Sequence, residues 1–445
     1  MNYRKLASLL ISLSIISGNV LAKEMDLLDV YHQAQDRDPQ IAAAEYQAKA
    51  GEEKANQGRA AFLPNISATG DAGVGHQSTE YDTSAFPNRS ADTKSYNIAA
   101  QLTQPIYHAS DWKNYAQSKL AVDEAAVQLE FAKQSLIIRV SKAYFDALSA
   151  QENVGVSEAQ TRAFKESLER AKLTFKVGTA TKTDMLDAQA RYDKAVAEEI
   201  AAKNQLAVAR QSLTSIIGTI PESLKKLSPN AKLLAVDPMN MKAWVDMAFA
   251  NSPQLKLAQL GYDVSRLQVE KIKAGELPTL DLVASASKNK QYLAFIGGFM
   301  TVTNLAVQLQ LNMPIYTGGL MSSQIREAES TRLQQKELQT NSERQVTLQT
   351  QQAYLNALNG RQQVDALKQA VISNDSALEA TKKGVEVGVR TNLDLLNSQQ
   401  QFFSTERDFT VAKYNYLLTV LQLKAAAGVL AEKDVKELNA LLASK

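Results

Sequence analysis

Two hydrophobic periods alternate along this chain. From 110 to 177 there is no proline and one glycine, Gly155, and apolar residues return every three or four positions, as at Leu129, Leu136, Val140, Tyr144 and Leu148. That spacing predicts one face of a helix. Over those 68 positions the helix would be about 100 Å long at ~1.5 Å per residue, too long for one globular core to cover. Gly178 is placed to end it as a C′ residue, 181–183 make a turn, and a second helix is predicted over 184–217. Pro221, Pro229 and Pro238 then break the pattern, and another helix is predicted over about 241–275. The two returning stretches, 34 and 35 positions, together match the outgoing one. The expectation is an antiparallel hairpin of one long helix against two shorter ones stacked end to end. The pattern recurs with 319–387 running out and 394–427 back, the remaining partner being 25–61.

Between the helical stretches the period changes to two. Ile98, Ala100 and Leu102 alternate with Asn97, Ala99, Gln101 and Thr103, and Val307, Leu309, Leu311 and Met313 alternate with Ala306, Gln308, Gln310 and Asn312. Weaker versions at 66–74 and 280–287 complete two hairpins and four strands. No helix with an all-round apolar face is left to cover them, so lipid is the better partner for the apolar side. Strands of about ten residues with one apolar and one polar face suit a transmembrane barrel, which satisfies its backbone only by closing. The smallest such barrels have eight strands, so four per chain require several copies.

The chain is also duplicated. Asp38-Pro39-Gln40 recurs as Ser252-Pro253-Gln254 and Phe62-Leu63-Pro64 as Glu276-Leu277-Pro278, both 214 positions later. Gln104-Pro105-Ile106-Tyr107 recurs as Met313-Pro314-Ile315-Tyr316 after 209. Ala143-Tyr144-Phe145-Asp146-Ala147-Leu148 recurs as Ala353-Tyr354-Leu355-Asn356-Ala357-Leu358 after 210, as do Val177-Gly178 and Gly218. The expected division is a leader at 1–22, a first repeat at 23–236 with strands about 65–75 and 95–105, and a second repeat at 237–445 with strands about 279–289 and 303–313. Segments 218–238 and 428–445 are mixed in character.

Composition narrows the function. Arg4 and Lys5, the apolar stretch 6–16 and Val20-Leu21-Ala22 before Lys23 form an export signal cleaved after Ala22; the alternative, a membrane anchor, has too short an apolar run to span. With no cysteine there is no disulfide, no thiolate metal site and no acceptor for an N-terminal lipid. A net charge of +2 gives no argument for nucleic acid. His32, His76 and His108 fall on three different element types, so no metal site is expected within one chain. No nucleophile with a base and oxyanion donors and no phosphate-binding glycine loop is apparent, so neither an enzyme nor a cofactor is expected. Tyr107, Trp112 and Tyr316 stand where strand gives way to helix, as an aromatic belt at a membrane boundary or as ordinary packing. The apolar stretch 293–300 either extends the strands or meets a partner.

The order of leader, helix, Leu-Pro, hairpin, Pro-Ile-Tyr, very long helix, Val-Gly turn and helix, given twice, resembles the TolC family of outer-membrane exit ducts over essentially the whole mature chain. Its most specific stretches are 176–184 (KVGTATKTD) and 387–394 (VGVRTNLD). The resemblance implies a homotrimer whose twelve strands form one barrel in the outer-membrane lipid, continued by a twelve-helix tunnel across the periplasm. It implies transport without chemistry, in partnership with a periplasmic adaptor and an inner-membrane pump or ABC exporter. The absence of cysteine places the chain with the non-lipidated branch. By the same resemblance Asp394 matches a carboxylate ring at the constriction of the tip, and the family's second ring falls on an amide, Asn397. Arg390 matches the cation that locks neighbouring helices in the shut tip, Thr183 and Asp184 match its partners, and a further gating tyrosine falls on Val385. The plainer reading of Thr183, Asp184 and Asp394 is helix capping, worth about 1 kcal/mol, with Gly178 and Gly388 as C-caps. Capping gives no reason for Arg390. A periplasmic adaptor would carry one helical hairpin flanked by small β domains, and a structural coiled coil would have no strands.

Overall fold

The computed structural model describes residues 24–442 apart from 84, 86, 222, 229, 230, 232, 294 and 295; the export signal lies outside the described residues. The elements run α1 (Leu27–Arg37), α2 (Pro39–Ala60), β1 (Asn65–Thr79), β2 (Arg89–Tyr107), α3 (Ala109–Lys176), α4 (Lys182–Ile217), α5 (Met241–Asn251), α6 (Pro253–Ala274), β3 (Thr279–Leu293), β4 (Gly298–Asn312), α7 (Leu320–Glu386), α8 (Asn392–Ala426) and α9 (Glu432–Asn439). The two rods, α3 and α7, have 68 and 67 residues, about 100 Å each.

Two expectations about the helices need correction. The stretches 25–61 and 241–275 are not continuous: α1 gives way to α2 at Asp38-Pro39, and α5 to α6 at Ser252-Pro253. Proline has no amide hydrogen and drives the preceding residue out of the helical region, and Asp38 and Ser252 have ψ of 118° and 120°. Asp38 then caps α2 through Oδ1, accepting from Gln40 N at 2.6 Å and Ile41 N at 3.2 Å. Its other oxygen takes Arg139 Nη1 from α3 at 2.7 Å, so this nearly sealed carboxylate is fully used. The end-to-end partners differ from expectation in the second repeat only. α6 lies against α3 as expected, with Lys113 Nζ donating to Glu270 Oε2 at 2.7 Å, and also against α7, while α2 packs on α3 and not on α7, because α2 and α3 flank one β-hairpin; α4 and α8 fold back on α3 and α7 as expected.

The four strands form one antiparallel sheet in the order β1-β2-β3-β4, leaving β1 and β4 as edges within the chain. At 15, 19, 15 and 15 residues they run beyond the ten-residue stretches visible in the sequence. The extensions, Gly75–Thr79 and its partner Arg89–Thr93 among them, are polar on both faces and carry no period to detect. The β3–β4 hairpin is extended differently, by apolar residues: Leu293 ends β3, and Gly298, Phe299 and Met300 open β4. Residues paired across the ladder share a face. One face carries Ile66, Leu102, Ile98, Leu282, Leu309, Leu311 and Val307; the other carries Asn65, Thr103, Gln101, Gln308 and Gln310, with Asn97 Nδ2 donating to Asp71 Oδ1 at 3.0 Å. No helix among the described residues is long and apolar enough to cross a membrane.

The largest apolar core sits at mid-length of the rods, where Leu136, Ile137, Val140, Tyr144 and Leu148 of α3 meet Val30, Leu213, Leu417, Leu421 and Val435. The irregular segments clasp it. Met25 N donates to Ser223 O and Lys225 N to Met25 O, both at 3.0 Å, and Ser228 N donates to Leu441 O at 3.0 Å. Tyr144 Oη donates to Lys225 O at 2.8 Å. Its repeat counterpart Tyr354 anchors a second, smaller cluster with Val236, Trp244, Ala357 and Leu423.

The duplication is unequal at one glycine pair. Gly218 and Gly428 both adopt positive φ, 74° and 70°. A Cβ on Gly218 would find only Arg37 Cδ at 3.8 Å, whereas one on Gly428 would lie 2.6 Å from the backbone carbon and oxygen of Asn251. Gly218→Ala is expected to cost only the left-handed penalty of about 1–2 kcal/mol. Gly428→Ala adds an overpacking cost of about 1–3 kcal/mol. Thermal unfolding of the two variants in detergent should rank Gly428→Ala clearly below Gly218→Ala.

Candidate functional site

The far ends of the rods, about 100 Å from the sheet, are two homologous turns. α3 ends at Val177, whose N donates to Leu173 O at 3.1 Å; Gly178 N donates to Phe175 O at 3.0 Å and Thr179 N to Thr174 O at 2.9 Å. This is a Schellman motif with Gly178 at φ 80°. α7 ends in the same way, Gly388 N donating to Val385 O at 3.1 Å and Val389 N to Gly384 O at 2.9 Å, with Gly388 at φ 79°. Gly178 and Gly388 are therefore the C′ glycines that close the two long helices, following the C-caps Val177 and Val387.

Each turn then opens the return helix with a capping box. Thr181 N donates to Asp184 Oδ2 at 2.9 Å, and Asp184 N donates to Thr181 Oγ1 at 3.1 Å. In the second repeat Thr391 N donates to Asp394 Oδ2 at 3.0 Å, and Asp394 N to Thr391 Oγ1 at 3.1 Å. The cap residue of α4 is thus Thr181, and Thr183 lies exposed inside the first turn. Both carboxyls are held below the usual carboxylate range, Asp184 by the Thr181 backbone and hydroxyl, Asp394 by the Thr391 backbone and hydroxyl and then by the Arg390 charge. Both stay ionised at neutral pH.

Arg390 is exposed on the α7–α8 turn, and within one chain it makes no hydrogen bond to Thr183 or Asp184. Its stem lies across the buried Gly384, where a Cβ would stand 2.6 Å from Arg390 Cγ. Asn397, one turn beyond Asp394, is held from the other hairpin by Arg191 Nη2 at 2.8 Å. Neither Gly384 nor Arg191 stands out in the sequence as a tip residue. The available signals were Gly384 four positions before Gly388, and Arg191 two helical turns beyond Asp184 on the same face. Val385, where a gating tyrosine would stand, contributes only its carbonyl to the Schellman turn.

Above the turns the hairpins are bound together. Phe164, Leu168 and Ala171 of α3, Ala188 and Ala195 of α4 and Leu396 of α8 form a sealed cluster. Beyond it Arg407 Nη1 on α8 donates to Gln160 Oε1 at 2.8 Å, and its ion pair with Glu198 spans 3.3 Å. Ser167 Oγ donates to Gln399 Oε1 at 3.1 Å. α8 is thereby fastened to the α3–α4 hairpin.

The other candidates are dispersed. His32 lies 3.6 Å from Glu432, His76 pairs with Asp92 at 2.8 Å, and His108 stands between Asp111 and Asp281 at 3.1 Å each. Among the described residues no group of three or more His, Asp and Glu is arranged to hold a metal. Tyr107 ends β2 opposite Leu280, Trp112 packs on Phe62 with ring centroids 4.8 Å apart, and Tyr316 is 87% exposed.

A sheet with one apolar face and open edges on 100 Å rods defines the class: a channel subunit of the outer membrane, not an enzyme. Residues 30–219 and 244–429 match the outer membrane efflux protein family, and the chain belongs to it. The chain is 31% identical to outer membrane protein TolC of Vibrio cholerae, over 98% of both chains. It is 30% identical to the proteases secretion protein PrtF of Dickeya chrysanthemi, over 98% of this chain and 95% of that one. In fold it is similar to the CmeC outer membrane channel of Campylobacter jejuni, with a TM-score of 0.77, 17% identity and coverage of 94% of this chain and 90% of that one.

Proposed function

We propose that this chain is the exit duct of a tripartite efflux pump or type I secretion system, a passive conduit opened and closed at its periplasmic tip. Three copies share one twelve-stranded barrel in the outer membrane, and four helices per chain at any level continue it as a twelve-helix tunnel into the periplasm. A periplasmic adaptor and an inner-membrane pump or ABC exporter supply energy and selection. The observation that carries this is the four-stranded sheet, apolar on one face and unpaired at both edges, set on two rods far too long for a globular core. A periplasmic adaptor or a structural coiled coil would need no such sheet.

At the tip, Asp394 supplies the constriction charge, Arg390 is the cation that ties adjacent hairpins together through Thr183 and Asp184, and Asn397 stands where a second charged ring would otherwise lie. Three symmetry-related Asp394 carboxylates around a narrow pore focus a negative potential that draws in multivalent cations. Hexaamminecobalt added on the periplasmic side of a planar bilayer should block the wild-type channel, and Asp394→Asn should weaken the block at least tenfold while changing open conductance less. Because the carboxyl is charged above its lowered pKa, block should persist through mildly acidic pH and fade only as pH falls through that value. Unchanged block in Asp394→Asn would leave Asp394 a helix cap and nothing more.

A further inference from the structure

The apolar face of the sheet ends abruptly on the side away from the helices. Along β3 the outward positions read Leu280, Leu282, Ala284, Ala286, Lys288, Lys290 and Tyr292. Ten residues separate Leu280 from Lys290; at ~3.3 Å each and a tilt of ~40° this is ~25 Å of height, the height of a barrel's apolar band. Lys288 pairs with Ile98 and Lys290 with Tyr96. Lys94, two residues beyond Tyr96 on the same face, pairs with Val74. Lys94 and Lys290 are diagonal neighbours at about 7–8 Å and Lys288 lies two residues below Lys290 on the same strand, so three exposed lysines follow one another along this side of the outer rim. None is ion-paired with a carboxylate among the described residues. The nearest acid on that face, Asp92, is taken by His76. Aromatic rings frame the cluster: Lys290 Nζ lies 4.7 Å from the Phe299 centroid, and Phe299 lies 6.2 Å from Tyr96 and 5.3 Å from Tyr292.

Directly below it the same face is hollowed. Ala100, Ala284 and Ala286 form the floor of a groove of about 370 Å³ walled by Ile66, Leu305 and Val307. Ala286 is two residues below Lys288 on the same strand, so groove and cluster are continuous. An apolar furrow running up to three cations has the shape and charge of one molecule, an acyl chain ending in phosphate.

We propose that this face binds a phosphorylated, acylated lipid of the outer leaflet, one per chain, with an acyl chain along Ala100, Ala284 and Ala286 and the phosphate on Lys94, Lys288 and Lys290. The proposal rests on the channel reading, which places this face in the outer membrane. Bound lipid would fasten the rim of the sheet, whose polar extensions lie above the apolar band.

The test is native mass measurement of the intact assembly from nanodiscs of phosphatidylcholine doped with diphosphoryl lipid A. The wild-type protein should retain up to three lipid A molecules. Each lysine near an anionic headgroup contributes about fivefold, so K94Q/K288Q/K290Q should weaken retention about a hundredfold. Ala284→Phe, which fills the groove and leaves the charges, should weaken it as well. Ten-millimolar inorganic phosphate should not compete, and dephosphorylated lipid A should bind far less. Equal retention by the triple variant, or equal loss in a control with periplasmic Lys256→Gln, would overturn the proposal. The copy number in the same spectra tests the channel reading separately, so a failure of one is distinguishable from a failure of the other.

Discussion

Leu309→Arg is expected to abolish accumulation in the outer membrane, while Gln310→Arg, one residue along the same strand, is expected to be tolerated. Leu309 is 68% exposed and pairs with Leu282 inside the apolar band. Gln310 pairs with Asp281 on the opposite, polar face. A cation on the lipid face near the midplane costs about 2–4 kcal/mol. Three copies carry that cost three times over, which rivals the whole stability of an ordinary fold at about 5–15 kcal/mol. On the inner face the same side chain meets water and pays nothing comparable. Quantitative membrane fractionation should return little Leu309→Arg and near-normal Gln310→Arg. Equal yields would mean that the register, or the assignment of the two faces, is inverted, since a one-residue slip exchanges every side chain between them.

The second large effect is expected at the tip. Arg390 is exposed on its turn and has no partner on Thr183 or Asp184 of its own chain, so any bond it makes there joins adjacent subunits. A hydrogen bond to a charged group is worth about 1.5–3 kcal/mol, roughly ten- to a hundredfold in an open–shut equilibrium, and a trimer has three. Arg390→Ser should therefore raise single-channel conductance several-fold in planar bilayers, by freeing α7 and α8 from their neighbours. Arg390→Lys, which keeps the charge but not the planar fork, should fall between. The capping boxes of Thr181 and Thr391 do not involve Arg390, so the variant should fold and insert normally. Unchanged conductance would reduce the tip residues to helix ends.

Most of the architecture was legible because it is repetitive and locally encoded. The rods announced themselves by unbroken periodicity over 68 positions, and their ends by Val177-Gly178 and Val387-Gly388, whose glycines do take the positive φ a C′ residue needs. The strand cores showed because lipid demands alternation. Their outer extensions did not, since Gly73, Gly75, Gln77, Thr93 and Ser95 on one face are matched by His76, Asp92 and Lys94 on the other, so no polar–apolar alternation remains to detect. Helix adjacency is legible in part: α6 lies along α3 as length matching predicts, but length cannot tell which rod the 25–61 stretch accompanies, and the β1–β2 hairpin ties α2 to α3 rather than to α7.

At the tip, Asp184 does serve in capping, as the carboxylate of the capping box, but the cap residue itself is Thr181 and not Thr183, because three threonines within five positions all suit a cap and only the backbone turn selects among them. The Arg191–Asn397 bond joins residues 206 apart and could not be read from either neighbourhood alone. It also changes the sense of the amide at 397. Asn397 is more than a missing second charge, because it accepts a bond that ties α8 to α4.

The central claim is that three chains complete one barrel, since β1 and β4 have no partner within the chain. Native mass measurement of the full-length protein extracted from outer membranes in mild detergent tests it most directly. Three copies per assembly, converting to monomer only on heating, is the predicted result. A folded, membrane-inserted monomer would contradict it, and so would a dimer, whose eight strands could close a barrel of a different size.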